Sequence, residues 1–221
     1  MTDDAIVDLS SYLPMPHDPR ILVTVPKDAQ RKLLTLWALM ERLTKLLDDV
    51  REPMIGQIKL AWWRDMMALM ADDADAIPKG EPLLSEMTPH WRGEAGLGDL
   101  VNAAEALLVA EDDAGRIAAA HDFGDRLFQL SGAAFGAEVS ATAGARWALL
   151  WALFLHRGSE AEAAFLQAAE DQPAPAKAIF GAKAKALLML DRLAGQISLA
   201  KGGRDLRRES LILLRIGVLG R

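Results

Sequence analysis

Cysteine is absent from this chain of 221 residues. Its absence excludes disulfides, thiolate metal sites and cysteine nucleophiles, and it suits a reducing compartment. Positive charge is also in deficit, because the net charge of −6 provides no basic field for nucleic acid. The sequence has no glycine-rich phosphate loop, no nucleophile elbow and no zinc motif. Several common classes of enzyme and of nucleic-acid-binding protein are therefore excluded.

Long apolar runs are missing as well. The most apolar stretch, residues 147–155, is bounded by Arg146 and His156, and it is far shorter than the roughly 20 residues that span a bilayer. The acidic beginning, residues 1–5, does not resemble a signal peptide. We therefore expect a cytoplasmic protein without a transmembrane segment. Peripheral association with the inner membrane is the alternative location.

What the chain does contain is apolar side chains at helical spacing. They make up 51% of the residues, enough for one sizeable core, and no useful period-2 alternation is found. The sequence predicts an all-α bundle of about seven to nine helices. Four prolines predict an N-terminal arm with little regular structure over residues 1–27, followed by one helical domain over residues 28–221. The clearest predicted helices span about 28–48, 53–70, 99–110, 114–139, 141–156, 176–194 and 205–218.

The helix predicted over residues 53–70 has a lysine in its apolar arc. Pro53 suits the first helical turn, and at about 100° per residue a broad arc gathers Ile55, Ile58, Trp62, Trp63, Met66, Leu69 and Met70. Lys59 projects from the middle of this arc. An unpaired buried ammonium is very costly, so Lys59 must either reach out along its stem or meet an anion. We interpret this as the first sign of a site.

The preceding predicted helix places polar groups beside its own apolar stripe. Glu41, Thr44 and Asp48 share the inward arc with Trp37, because spacings of three and four residues stack side chains along one side of a helix. Two interpretations remain open for Glu41. It forms a buried structural pair with Lys59, or both residues belong to a ligand pocket together with Thr44, Asp48 and Trp63.

Two segments carry a family resemblance. Residues 36–43 read Leu-Trp-Ala-Leu-Met-Glu-Arg-Leu, and residues 52–65 read Glu-Pro-Met-Ile-Gly-Gln-Ile-Lys-Leu-Ala-Trp-Trp-Arg-Asp. Together they resemble the N-terminal signature of the squalene/phytoene synthase superfamily, and most closely its divergent branch that contains a mitochondrial assembly factor for respiratory complex I. The resemblance covers about residues 16–67 and is faint beyond them. It implies an isoprenoid-synthase-like helical fold.

The resemblance also implies where catalytic metal ligands belong. Synthases of this superfamily join prenyl diphosphates and hold Mg²⁺ with two aspartate-rich clusters on facing helices. The first cluster falls on Thr44, Lys45 and Asp48 of this chain, of which only Asp48 is acidic. The second is expected at about residues 139–159, where aspartate and glutamate are absent. An upstream pair, Asp122 and Asp125, is read as a solvated helix edge.

A non-catalytic member of the superfamily is therefore expected, without a metal or other cofactor. It binds an isoprenoid or another lipid, or it acts as an assembly factor for a membrane-associated protein partner. The alternative is an active Mg²⁺-dependent prenyl transferase with displaced carboxylates, in which Asp48 is a metal ligand. Trp62 and Trp63 are read as core residues or as ligand contacts. The arginines of the last helix, with Lys201, are read as surface residues or as contacts for anionic lipid.

Overall fold

The computed structural model describes residues 9–181 and 183–220, and over this part of the chain the regular secondary structure is entirely helical. The prediction of an all-α fold is confirmed. Residues 9–11 and 74–76 form single 3₁₀ turns, as do residues 177–180. The α-helices of the described residues are α1 (Pro19–Leu22), α2 (Lys27–Asp49), α3 (Pro53–Asp72), α4 (Pro82–Trp91), α5 (Leu97–Val109), α6 (Asp113–Ala134), α7 (Ala145–Leu155), α8 (Glu162–Asp171), α9 (Lys185–Leu199) and α10 (Leu206–Leu219).

The segment before α2 packs onto the core. Residues 1–8 of the predicted arm lie outside the described residues. In the remainder, Leu13, Met15, Ile21 and Val25 are buried, and the indole of Trp147 donates a 2.9 Å hydrogen bond to the carbonyl of Pro14. Burial of four apolar side chains stabilises this irregular segment against the bundle, because apolar area removed from water contributes favourably.

The central helix of the bundle is α7, which is apolar almost all round as the sequence predicts. Its Trp151 ring stacks on Phe123 of α6 at 4.0 Å between ring centroids. Trp147 meets Trp37 of α2 edge-on at 5.0 Å. A Cβ atom on Gly144 would lie 2.0 Å from the backbone oxygen of Gly124. Glycine is therefore required where the start of α7 meets α6, because any side chain would force the two backbones apart.

Several helix boundaries differ from the sequence predictions. The helix predicted over residues 114–139 ends at Ala134 in α6, and the one predicted over residues 141–156 begins at Ala145 in α7. From the sequence, residues 71–93 are expected to form a surface loop with a short turn of helix and one buried aromatic, Trp91. Residues 82–91 instead form helix α4, and the predicted burial of Trp91 is confirmed. Helix α9 begins at Lys185, nine residues later than predicted, and continues beyond Gly195 to Leu199.

The sequence also predicts a capping box at residues 159–162 that starts a further helix. It does not form, because the N-cap of α8 is Ala161 and the Glu162 carboxylate accepts from the backbone N–H of Gly158.

Helix α3 is rotated relative to the sequence prediction. It packs chiefly against α5, and a Cβ on Gly56 would come within 2.6 Å of the Leu108 side chain. This close approach buries Leu60, Met67 and Met70 and leaves Ile58 exposed. The sequence also predicts that the helices over residues 28–70 pack antiparallel around Trp37, Met40, Trp62 and Trp63. This shared cluster does not form, because Trp62 is 40% exposed and Trp37 contacts Phe128 and Trp147 instead.

No helix in the described residues is both long enough and apolar enough to cross a membrane.

Candidate ligand groove between α2 and α3

A groove of about 450 Å³ opens between α2 and α3. Its volume lies in the range of sites for small molecules. Half of its lining is apolar and half is charged: Arg42, Lys45, Leu46 and Asp49 come from α2, and Ile58, Lys59, Trp62 and Trp63 come from α3. The groove therefore combines an apolar surface with three cations and one carboxylate.

The three cations of this groove are all exposed, but they differ in whether the protein already holds them. Both Lys45 and Lys59 are exposed. The guanidinium of Arg42 already donates a 2.8 Å hydrogen bond to Glu81 and forms an ion pair with it, and it lies 6.0 Å from the centroid of the Trp63 ring. Arg42 is thus held by the protein, whereas the ammonium groups of Lys45 and Lys59 can move to meet an anion.

The tryptophans divide between the core and the groove. Trp63 is 5% exposed and Trp62 is 40% exposed, and their rings meet edge-on at 5.1 Å. Beyond Trp62 the same side of α3 continues with Ile58, Ile55 and Met54, all of which are exposed. Large apolar side chains grouped on one exposed surface are unusual and mark sites of interaction.

The other residues predicted for the pocket lie elsewhere. Thr44 is buried in the core, where its hydroxyl donates to the carbonyl of Met40 at 2.8 Å and accepts from the indole of Trp151 at 2.8 Å. Asp48 is exposed and does not line the groove, whereas Asp49 does. Only Lys59 and Trp63 of the five predicted residues therefore come together in this groove.

The predicted buried pair of Glu41 and Lys59 is wrong. The side chain of Glu41 is 42% exposed and lies 4.0 Å from His17, and Lys59 is exposed at the groove. The reason is the rotation of α3, which turns the apolar arc around Lys59 outwards. Lys59 needs no buried counter-ion, because water solvates its ammonium group.

The residues at the expected metal positions do not fit Mg²⁺. Thr44 has its hydroxyl engaged in the core, Lys45 is a cation, and Asp48 is one exposed carboxylate. Helix α7, within the region expected to carry the second cluster, has no acidic residue. Across the residues that the structure describes, no three histidine or carboxylate side chains converge as a metal site. Magnesium requires several oxygen ligands, and this donor set does not supply them.

The upstream acidic pair on α6 has local partners. Asp122 forms an ion pair with Arg126 one turn later, at 3.1 Å, in agreement with its interpretation as a solvated edge. Asp125 is half-buried and accepts a 3.3 Å hydrogen bond from the backbone N–H of Gly144. Burial is the largest cause that raises the pKa of the Asp125 carboxyl, to about 6, and the nearby charge of Asp122 adds to it.

Two buried carboxylates near the end of the chain were not predicted. Asp191 forms ion pairs with Arg192 and with Arg146, the latter at 3.1 Å. Glu209 receives two 2.6 Å hydrogen bonds from the guanidinium of Arg204. The sequence does contain a signal for the burial of Glu209, because this residue shares a helical stripe with Leu213 and Ile216 at intervals of four and three residues. We refer to these two groups of ion pairs together, five residues in all, as the buried charge cluster.

Arg204 also forms hydrogen bonds with the N-terminal segment. Its Nη1 donates to the carbonyl oxygens of Ser10 and Leu13, at 2.8 and 3.3 Å. The same guanidinium therefore joins the start of the described chain to α10. These bonds give the pair of Arg204 and Glu209 a structural role, since the buried carboxylate is paired and the guanidinium donates only to protein groups.

No protein-family model, curated protein or solved structure matches the chain.

Proposed function

We propose that this protein is a non-catalytic binding protein that holds a lipid or isoprenoid with an anionic head group in the groove between α2 and α3. The single observation that supports the proposal most is the placement of Lys45 and Lys59 beside the exposed apolar side chains Ile58 and Trp62. An amphipathic ligand matches such a lining, because its chain covers apolar surface while its phosphate meets the ammonium groups.

The resemblance to the squalene/phytoene synthase superfamily supports prenyl phosphates as the ligands to test first. The donor set at the expected metal positions supports binding without turnover, because ionisation of an allylic diphosphate in that superfamily depends on both acidic clusters. The same surface supports a role as an assembly factor. Met54 and Ile55 extend the exposed apolar side of α3, and an exposed apolar surface would suit a protein partner.

A thermal-shift panel tests the lipid proposal. Farnesyl phosphate, geranylgeranyl diphosphate, phosphatidic acid and neutral farnesol are each added with and without Mg²⁺. A ligand at 100 times its Kd stabilises the folded state by about 2.7 kcal/mol, which raises Tm by roughly 5–10 °C for a chain of this size. We expect stabilisation by the anionic amphiphiles that does not depend on Mg²⁺.

Charge variants make the panel specific. Lys45→Met and Lys59→Met should weaken the shift given by the phosphates and leave the smaller shift given by farnesol. Lys183→Met is the matched control, because Lys183 is an exposed lysine just before α9 that does not line the groove. If the three variants behave alike, the groove is not the binding site. If no amphiphile stabilises the protein, the lipid proposal fails and the assembly role remains to be tested.

Turnover is measured in the same samples. Incubation with farnesyl or geranylgeranyl diphosphate and Mg²⁺ should release no pyrophosphate above a control without protein. Clear release that is abolished by Asp48→Ala would overturn the non-catalytic proposal and establish a prenyl transferase with displaced carboxylates.

A further inference from the structure

Helix α10 has a second exposed apolar surface, separate from the groove. Leu211 is 66% exposed, Leu214 62% and Val218 73%. At about 100° per residue these three side chains lie within one arc of roughly 60°. The buried side of the helix, formed by Glu209, Leu213 and Ile216, points in the opposite direction. We call the three exposed residues the outer stripe of α10.

Arginines surround the outer stripe. Arg207 falls within the same arc, and Arg215 and Arg208 lie along one edge of it; all three are exposed. The only acidic residue within α10, all of which is described, is Glu209, and it is buried against Arg204. Asp205, the exposed N-cap residue of α10, forms an ion pair with Arg208. The three exposed arginines outnumber it, so the exposed surface of this helix carries net positive charge on a chain whose net charge is −6.

We propose that the outer stripe of α10 docks the protein onto an anionic lipid surface. Arginines around leucine and valine suit the boundary between head groups and acyl chains. There the apolar side chains enter the boundary while the guanidinium groups meet the phosphates. Three apolar side chains and three arginines give reversible binding at millimolar lipid rather than permanent anchoring.

Self-association through this surface is disfavoured by its charge. A two-fold dimer places the same patch on both subunits. The arginines of one α10 would then face those of the other, while the one acidic residue of the helix stays buried. Charge complementarity selects an anionic surface over a second copy of the chain.

Vesicle flotation with the full chain tests the proposal. Vesicles of phosphatidylcholine alone are compared with vesicles of phosphatidylcholine and phosphatidylglycerol at 70:30, in 0.1 M and 0.5 M NaCl. We expect binding to the anionic vesicles at low salt and its loss at high salt, because the Debye length falls from about 10 Å to under 5 Å. This salt comparison uses the unaltered protein, so it does not depend on the folding of a variant.

Two sets of substitutions assign the surface. Combining Arg207→Glu, Arg208→Glu and Arg215→Glu should lower the partition coefficient on anionic vesicles by about a hundredfold or more, since each basic residue near such a surface is worth about fivefold. Combining Leu211→Ser, Leu214→Ser and Val218→Ser should lower it by roughly tenfold or more. Lys79→Glu and Val109→Ser are matched controls at exposed positions outside α10.

The outcomes are distinct. Equal binding by the α10 variants and the controls would overturn the proposal. So would an absence of vesicle binding combined with a dimer in light scattering that Leu214→Ser dissolves, because the surface would then bind a second copy. The arginine variants should leave the thermal shift with farnesyl phosphate unchanged, because α10 contributes no residue to the groove. Failure of the groove proposal is thus separate from failure of this one.

Discussion

The groove between α2 and α3 and the buried charge cluster both place charged side chains against apolar surface, but they do so in opposite ways. In the cluster, Glu209 is fully buried and both of its oxygens bind Arg204. At the groove, Lys45 and Lys59 are exposed beside Ile58. A charge that is buried needs a partner in the protein, whereas an exposed one remains available for a ligand.

This difference predicts which charges the fold depends on. Substitutions in the buried charge cluster should lower the free energy of unfolding strongly, whereas substitutions of the groove lysines should alter ligand binding and leave the fold stable. The four predictions below run from the largest expected effect on stability to the smallest. Three of them test that contrast between charges, and the second tests the packing of α6 against α7.

Arg204→Met should destabilise the protein most. It leaves the buried carboxylate of Glu209 without its main partner and removes the bonds to the carbonyls of Ser10 and Leu13. Loss of one partner from a buried ion pair typically costs about 3–5 kcal/mol, measured here as the free energy of unfolding in urea. Arg208→Met is the matched control, with a side chain that is 71% exposed, and it should change stability by less than about 0.5 kcal/mol. Equal effects would remove the distinction between buried and exposed charges.

Gly144→Ala should follow, with a loss of about 1–3 kcal/mol, because overpacking forces packed backbones to move. The added Cβ would lie 2.0 Å from the backbone oxygen of Gly124. Gly98→Ala is the control: Gly98 lies in α5 and a Cβ there meets nothing within 4 Å. Alanine at that position should be neutral or stabilise the helix by up to about 1 kcal/mol. A tolerated Gly144→Ala would contradict the close approach of α6 and α7.

The sequence was sufficient to predict the fold class and much less of the groove. Periodicity identifies α2, α3 and α7 because each is long and strongly apolar. Periodicity does not give the orientation of α3. Two sides of this helix are apolar, and the side that faces the core is the one on which Gly56 fits against Leu108 of α5. Contacts between residues 52 positions apart leave no trace in a local pattern. The prediction therefore located Lys59 and Trp63 correctly as neighbours on α3 and assigned Lys59 the wrong partner.

The part played by α2 in the groove shows the same limit. A pattern of polar residues beside an apolar stripe drew attention to Thr44 and Asp48. Neither residue lines the groove. The residues one position further along α2, Lys45 and Asp49, line it instead. A rotation of about 100° separates adjacent residues of a helix, so a small error in the inferred direction of the core replaces every member of the predicted set.

Asp125 should make stability depend on pH. Its pKa is raised to about 6 in the folded protein from a model-peptide value of 3.8, mainly by burial. The folded state therefore binds more protons than the unfolded state between these values, and the free energy of unfolding falls as pH rises from about 4 to about 6 and levels off above. Because the group is partly exposed, we expect a difference on the order of 1 kcal/mol.

Asp125→Asn isolates this contribution. Asparagine keeps an oxygen for the backbone N–H of Gly144 and carries no charge, so the variant should be more stable than the parent at pH 8 and equal to it below pH 4. Urea unfolding at several pH values measures the difference. A variant destabilised to the same extent at every pH would show that Asp125 is ionised without penalty in the fold.

The smallest effect is expected for Glu41 and Lys59, the pair that the sequence suggested. With Lys59 exposed at the groove, Glu41→Gln and Lys59→Met should each change the free energy of unfolding by less than about 0.5 kcal/mol. Their effects should add within about 0.5 kcal/mol in the double variant. Lys59→Met should still weaken the thermal shift given by farnesyl phosphate, whereas Glu41→Gln should not. A coupling of about 1 kcal/mol or more would instead establish the pair, and it would assign Lys59 to the fold rather than to the ligand.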